Sequence, residues 1–204
     1  MKSKQVRAAY HHGDLKNALM ETALVQISRT GVRALSLRDV ARRSGVSHTA
    51  SYRHFSSKES LLAAIAEQGF RRLSAAMRAA TLPHADDPVA ALQASGVAYV
   101  EFGVSYPEHL SVMFSVQLAH AHYPGLAQAS KEAYALLTAI VHDGLRTGSL
   151  RGTEERTITL AAWSIVHGLT QLITGGQLQT KDMPSMSARE LALAVTTLLH
   201  QGIV

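Results

Sequence analysis

Apolar positions recur at helical spacing along almost the whole chain. Leu15, Leu19, Ala23 and Ile27 fall every four residues as one stripe, opened by Asp14 as an N-cap and stopped by Gly31. A shorter set follows: Leu37, Val40 and Ala41 share one face after Ser36, and Ser36-x-x-Asp39 reads as a capping box. Ser44-Gly45 ends this second helix and Ser47 caps a third, in which Val46, Ala50 and Phe55 can face inward. With Leu35 added, these residues predict a three-helix head with its own small core. Ser56-x-x-Glu59 is another capping box, opening a helix to about Ala80 with Leu61, Leu62, Ile65, Phe70, Leu73 and Met77 on its apolar side. At 1.5 Å per residue it spans roughly 36 Å, too long for the head alone.

After a break at Pro83 to Pro88, helices are predicted at 89–105, 107–120, 124–147, 154–175 and 187–202. Tyr106-Pro107, Tyr123-Pro124, Gly148, Gly152, Thr153 as a cap, Gly175-Gly176 and a Ser187-x-x-Glu190 box punctuate them. No alternating strand pattern and no internal repeat competes. The expectation is an all-α fold of about nine helices, with a head at 1–56 and a body at 57–204.

The second and third helices have the spacing of a helix-turn-helix. Their predicted outer face carries His48, Thr49, Ser51, Tyr52, Arg53 and His54, with no acid among them. Short hydrogen-bonding side chains at a helix start suit base edges, and Tyr, Arg and His further along suit phosphate oxygens. Lys58 would sit at a helix N-terminus, where anions bind readily. A small solvated hairpin is the bland alternative, but three helix-start signals and an acid-free face would then be accidental. Charge sharpens the picture. Residues 1–60 hold eleven Lys/Arg against four Asp/Glu, a net +7, whereas the remainder is −2. A basic head on a slightly acidic body is the footprint of nucleic-acid binding. The arm at 1–12 either touches phosphates or the minor groove, or is a frayed terminus.

The segments VSHTASYRHFSSKESLL (46–62) and YHHGDLKNALMETAL (10–24) resemble the DNA-binding domain of the TetR/AcrR family of one-component transcriptional regulators. WSIVHGL (163–169) is similar to the Trp-His-Gly signature of one C-terminal subgroup. The resemblance implies a homodimer that binds a palindromic operator on double-stranded DNA and responds to a small-molecule effector. It places Ser47, His48, Thr49 and Ser51 toward bases or nearby phosphates, Tyr52, His54 and Lys58 toward the backbone, and Arg53 toward either. Ser36 opens the motif, and Arg38 on the preceding helix could reach a base. Related sequences usually carry Leu or Pro where this chain has Ser51, so that residue either packs or contacts DNA.

In the body, Phe70, Met77, Tyr99, Phe102, Met113, Phe114, Tyr134, Trp163 and His167 are the candidate lining of an effector pocket for a mostly apolar ligand. They could equally fill a core, because both use the same residue types. The last two helices are apolar on more than one face. Ala161, Ile165, Gly168, Leu169 and Leu172 on one, with Leu191, Val195, Leu198 and Leu199 on the other, form the expected dimer seam, a four-helix bundle from two chains. A thick monomeric core is the alternative.

Several chemistries find no support. There is no Cys for a disulfide, thiol catalysis or Cys-ligated zinc. No nucleophile elbow or phosphate-cradling loop occurs. Among eleven histidines, His120-x-His122 with His109 or His142 is the best metal candidate, but the pair points to different helix faces and has no nearby acid. Neither metal nor cofactor is expected, nor an enzyme. With no signal peptide and no apolar run of about 18 residues, the expected location is the cytoplasm. The functional expectation is a repressor released by its ligand, the alternative being an activator or a ligand-independent regulator of the same fold.

Overall fold

The computed structural model describes residues 12–115, 122–152, 154–178 and 186–203, and every regular element among them is a helix. In order these are α1 (His12–Thr30), α2 (Leu37–Arg43), α3 (His48–Tyr52), α4 (Lys58–Thr81), a 3-10 turn at Leu82–His84, α5 (Pro88–Ser105), α6 (Pro107–Ser115), α7 (Pro124–Thr147), α8 (Glu155–Thr174) and α9 (Ala188–Ile203). The start of α1 lies two residues ahead of the Asp14 signal, and the Asp14 side chain, the arm at 1–11, His120 and Thr153 lie outside the described residues. The chain divides into two compact units at Ile65 and Ala66, so the head takes the first two turns of α4 with it.

In the head, Leu19, Ala23, Ile27, Leu35, Leu37, Val40, Phe55, Leu61 and Ile65 are buried. Side-chain caps set its helix starts. Ser36 Oγ accepts from the Asp39 N–H and Ser47 Oγ from the Ala50 N–H. Gly45 takes φ +69° in the sharp exit between α2 and α3, a conformation other residues adopt only with strain. The start of α4 differs from expectation. Because the helix begins at Lys58, the cap is Ser57 rather than Ser56: Ser57 Oγ accepts from the Ser60 N–H, and Ser60 Oγ accepts from the Ser57 N–H. Glu59 instead holds its carboxyl below the usual range through its own backbone N–H and then the Ser57 hydroxyl.

The body is assembled around α5, which packs against α6, α7, α8 and α9. Its sequence carries a single charge, Glu101, and a helix apolar all round has to be covered on all sides. Two glycines let its neighbours approach. A Cβ at Gly96 would stand 2.9 Å from Thr196 Cγ2 of α9 and 3.2 Å from Val166 Cγ1 of α8, and one at Gly103 would run into Thr170 Cγ2 of α8. Beyond them, Leu92, Val141, Leu150, Ile158 and Ala162 form a core cluster. The Ser187–Glu190 box at the start of α9 is fully made, with Glu190 accepting from the Ser187 N–H at 2.7 Å and Ser187 Oγ accepting from the Glu190 N–H at 3.2 Å.

The outer faces of α8 and α9 leave Leu160, Leu172, Leu193 and Leu198 exposed, Leu198 by 69%. Ala161, Ile165, Leu191 and Val195 are half-buried beside them, and Gly168 is exposed. Two residues expected in the seam turn inward instead. Leu169 is only 8% exposed and continues the inner stripe of Ile158, Ala162 and Val166. Leu199 follows Ala192 and Thr196 at helical spacing and packs on the core cluster.

The α5 contacts define a stability test. Gly103→Ala should gain up to about 1 kcal/mol of helix propensity but incur about 1–3 kcal/mol of overpacking against Thr170. A net loss of stability is expected in urea unfolding, and unchanged stability would show that α8 is not held this closely.

Candidate nucleic-acid interface and body cavity

The helix-turn-helix exposes a compact set of donors and aromatic edges. Arg38, Ser47, His48, Thr49, Tyr52 and Arg53 are exposed, while Ser36, His54 and Lys58 are half-buried. The third helix is only a turn and a half, His48 to Tyr52, with Arg53 as its C-cap. Along it His48 and Tyr52, four residues apart, stack with ring centroids 4.6 Å apart. The acid nearest in sequence on α2, Asp39, accepts from Arg42 at 3.4 Å, which leaves the outer face positive.

Geometry decides the role of Ser51 and adds a partner for Lys58. Ser51 is 0% exposed, and its hydroxyl donates to the His48 carbonyl at 2.8 Å. It therefore packs; its assignment as a DNA contact is corrected, because the inner face of α3 takes it with Phe55. Lys58 Nζ donates to the Arg33 carbonyl at 2.8 Å, tying the start of α4 to the turn after α1. Two of its three donors remain.

In the body, a cavity of about 160 Å³ is lined by residues of α4, α5, α6, α7 and α8, including Phe70, Met77, Tyr99, Phe114, Tyr134 and Trp163. A hollow of about 40 Å³ shares Met77, Tyr99, Leu137 and Trp163 with it. Three of the expected lining residues sit elsewhere. Phe102 is buried and lies against the ring of Tyr106, one turn further along, with centroids 5.4 Å apart. Met113 is buried against Gly69, whose missing side chain makes room for its sulfur. His167 lines a separate surface cleft with Phe114 and Gln171. It still touches the cavity wall indirectly: its Nδ1 lies 2.7 Å from the Tyr99 hydroxyl. Burial pushes the Tyr99 hydroxyl up to about 12, more than the Trp163 hydrogen bond lowers it, and burial holds His167 below its ordinary value, so both are neutral at pH 7. Leu73, Ser130, Ala133 and Leu137 complete the wall. The sequence reading missed them because all four are small or aliphatic residues with no aromatic signal.

Residues 19–65 match the family model described as bacterial regulatory proteins of the tetR family, and residues 92–198 match that of the tetracyclin repressor-like C-terminal domain. The chain belongs to the TetR family. A protein of unknown function from Rhodococcus sp. RHA1 is 31% identical, with 97% of this chain and 99% of that one covered and a TM-score of 0.81. A tetR family regulatory protein from Rhodococcus RHA1 is 22% identical, with 91% and 95% covered and a TM-score of 0.74. A TetR family transcriptional regulator from Thermus thermophilus is 23% identical, with 90% and 97% covered and a TM-score of 0.72. Comparison with curated proteins returns no match. The protein is thus a DNA-binding transcriptional regulator of the TetR family, and no described helix is long and apolar enough to cross a membrane.

Within this TetR family chain, two of the histidines raised as metal candidates have other partners. His142 Nδ1 lies 3.0 Å from Glu155 Oε2, and His109 Nε2 lies 3.0 Å from Gln68 Oε1. His109 is nearly inaccessible, beside Tyr106, whose ring carries the Arg72 guanidinium at 5.2 Å. Burial, and then the Arg72 charge, push His109 down to about 4.

Two expectations follow. Ser51→Ala should cost about 1 kcal/mol of stability by removing the buried hydrogen bond, with the salt dependence of operator binding unchanged; a change in that slope would return Ser51 to the interface. For His109, the unfolded chain binds the proton below about 6.5 and the folded chain only below about 4. Stability contributed by the neutral ring is therefore fully present above 6.5 and lost as pH falls from 6.5 to 4, by on the order of 3 kcal/mol. His109→Gln should flatten this part of the unfolding free energy against pH, and an unaltered slope would contradict the assignment.

Proposed function

We propose that the protein is a homodimeric repressor that grips a palindromic operator and leaves it when a small apolar molecule occupies the body cavity. The observation that carries the DNA half is the exposed, acid-free set on α2 and α3: Arg38, Ser47, His48, Thr49, Tyr52 and Arg53. His48 and Thr49 at the start of α3 suit base edges, and Tyr52 and Arg53 at its end suit phosphates. Two copies placing α3 in successive major grooves require half-sites about 34 Å apart.

The dimer reading is supported by the apolar outer stripe of Leu160, Leu172, Leu193 and Leu198 with Ala161, Ile165, Gly168, Leu191 and Val195. A monomer in water would leave that stripe wet, and an isologous α8–α9 contact would cover it in both copies at once. The reading also places the protein with DNA, in the cytoplasm, acting by binding rather than by catalysis.

Release is supported by the course of α4. Phe70 and Met77 form part of the cavity wall, and the same continuous helix supplies Leu61 and Ile65 to the head. A ligand that favours a different position of the Phe70–Met77 segment would bias the head through that helix. Coupling of about 1–3 kcal/mol is typical of such linked sites, and operator DNA would weaken ligand binding by the same factor.

A mobility-shift titration against DNA upstream of the protein's own gene, repeated over a range of salt, tests the reading. Tyr52→Ala should weaken binding on every sequence and lower the salt slope by about one. His48→Ala or Thr49→Ala should instead relax preference by about 1–3 kcal/mol at single base pairs. A protein that is monomeric, or an unaltered shift with Tyr52→Ala, would overturn the proposal.

A further inference from the structure

We infer that Ser130 is the specificity-determining residue of the body cavity, and that the molecule it selects is a neutral, single-ring compound carrying one hydroxyl group. The inference rests on reading the cavity as the effector site. Size sets the ring. About 160 Å³ is close to the ~150 Å³ apolar cavity that accepts benzene, and the wall of Phe70, Leu73, Phe114, Leu137 and Trp163 offers aromatic and aliphatic contacts to such a ring.

Charge is excluded by the same wall. None of the residues lining the cavity or the adjoining hollow is Asp, Glu, Lys, Arg or His, so a carboxylate or ammonium entering it would lose its hydration without gaining a counter-ion. What remains is one polar substituent. The Tyr99 hydroxyl is already engaged with His167 at 2.7 Å, and Tyr134 is 43% exposed.

Ser130 differs from both. Several hydroxyls on the body's helices bond back to their own backbone, as Thr138 does to the Ala135 carbonyl on the same helix, Thr159 to Glu155 and Thr170 to Val166. The half-buried Ser130 hydroxyl makes no hydrogen bond among the described residues. On a mostly apolar wall it is therefore a half-buried donor and acceptor with no partner among the described residues, where the Tyr134 side chain is the more solvated. A ligand hydroxyl, itself both donor and acceptor, complements it in either sense.

Calorimetric titration of the full-length, DNA-free protein with p-cresol, toluene and benzoate tests this. Wild type should bind p-cresol about five- to tenfold more tightly than toluene, the worth of one net hydrogen bond, and should bind benzoate more weakly than either. Ser130→Ala, a favourable change in a helix, should abolish the p-cresol advantage and leave toluene affinity intact. Thr138→Ala on the same helix should preserve that advantage. Equal affinity for p-cresol and toluene in wild type, an advantage that survives Ser130→Ala, or benzoate as the best ligand would each overturn the inference. Operator release is read separately by mobility shift. Ser130-dependent p-cresol binding without release would leave the inference standing and remove the ligand-release reading, whereas no binding of any probe would sink the inference and leave operator recognition untouched.

Discussion

The close approach of α8 and α9 to α5 is the constraint on which the body depends. A helix with one charge in eighteen residues needs cover over most of its circumference, and Gly96 and Gly103 reduce its girth where Thr196, Val166 and Thr170 press on it. On the side toward α4 and α7 the same helix carries Tyr99 instead of a glycine. There the large rings of Phe70, Phe114, Tyr134 and Trp163 meet edge-on or tilted, with centroids 5.7 to 6.2 Å apart, and leave a hollow between them. Tight packing on one side and ring-against-ring packing on the other are two consequences of the residue sizes along one helix.

The head solves a different problem. Its second and third helices, of seven and five residues, are too short to be stable alone, and they are held by caps and by a shared core. Ser36, Ser47 and Ser57 each satisfy a backbone N–H that would otherwise be orphaned at a helix start. Lys58 adds a tie from α4 to the Arg33 carbonyl, and Ser51 spends its hydroxyl inside α3. The side chains left over, Arg38, His48, Thr49, Tyr52 and Arg53, are the ones free to meet a duplex. The division of labour is steric: those on the core side hold the unit together, and those opposite face outward.

Local signals were enough to read most of the helices, because their causes are local. Capping serines, terminal glycines and Pro at first-turn positions act within four residues, and they put α2, α4, α5 and α7 to α9 within a residue or two of the expected bounds, whereas α3 stops at Tyr52, three residues short of Phe55. The basic head against a slightly acidic body was equally legible, since charge counts need no fold.

Chemical class along the chain was therefore set by sequence alone: helical spacing throughout, a positive helix-turn-helix, and a body of apolar helices in a chain without cysteine. Tertiary structure decided orientation. Whether Ser51 faced the core or DNA, whether Leu169 and Leu199 looked outward or inward, and whether Phe102 and Met113 walled a cavity or filled a core all turned on rotations of one or two positions about a helix axis. A residue advances about 100° around such an axis, and apolar residues occupy most of the circumference of α5, α8 and α9, so their periodicity leaves that angle open. Only the neighbours that press on each helix fix it, and with it the hollow beside Ser130.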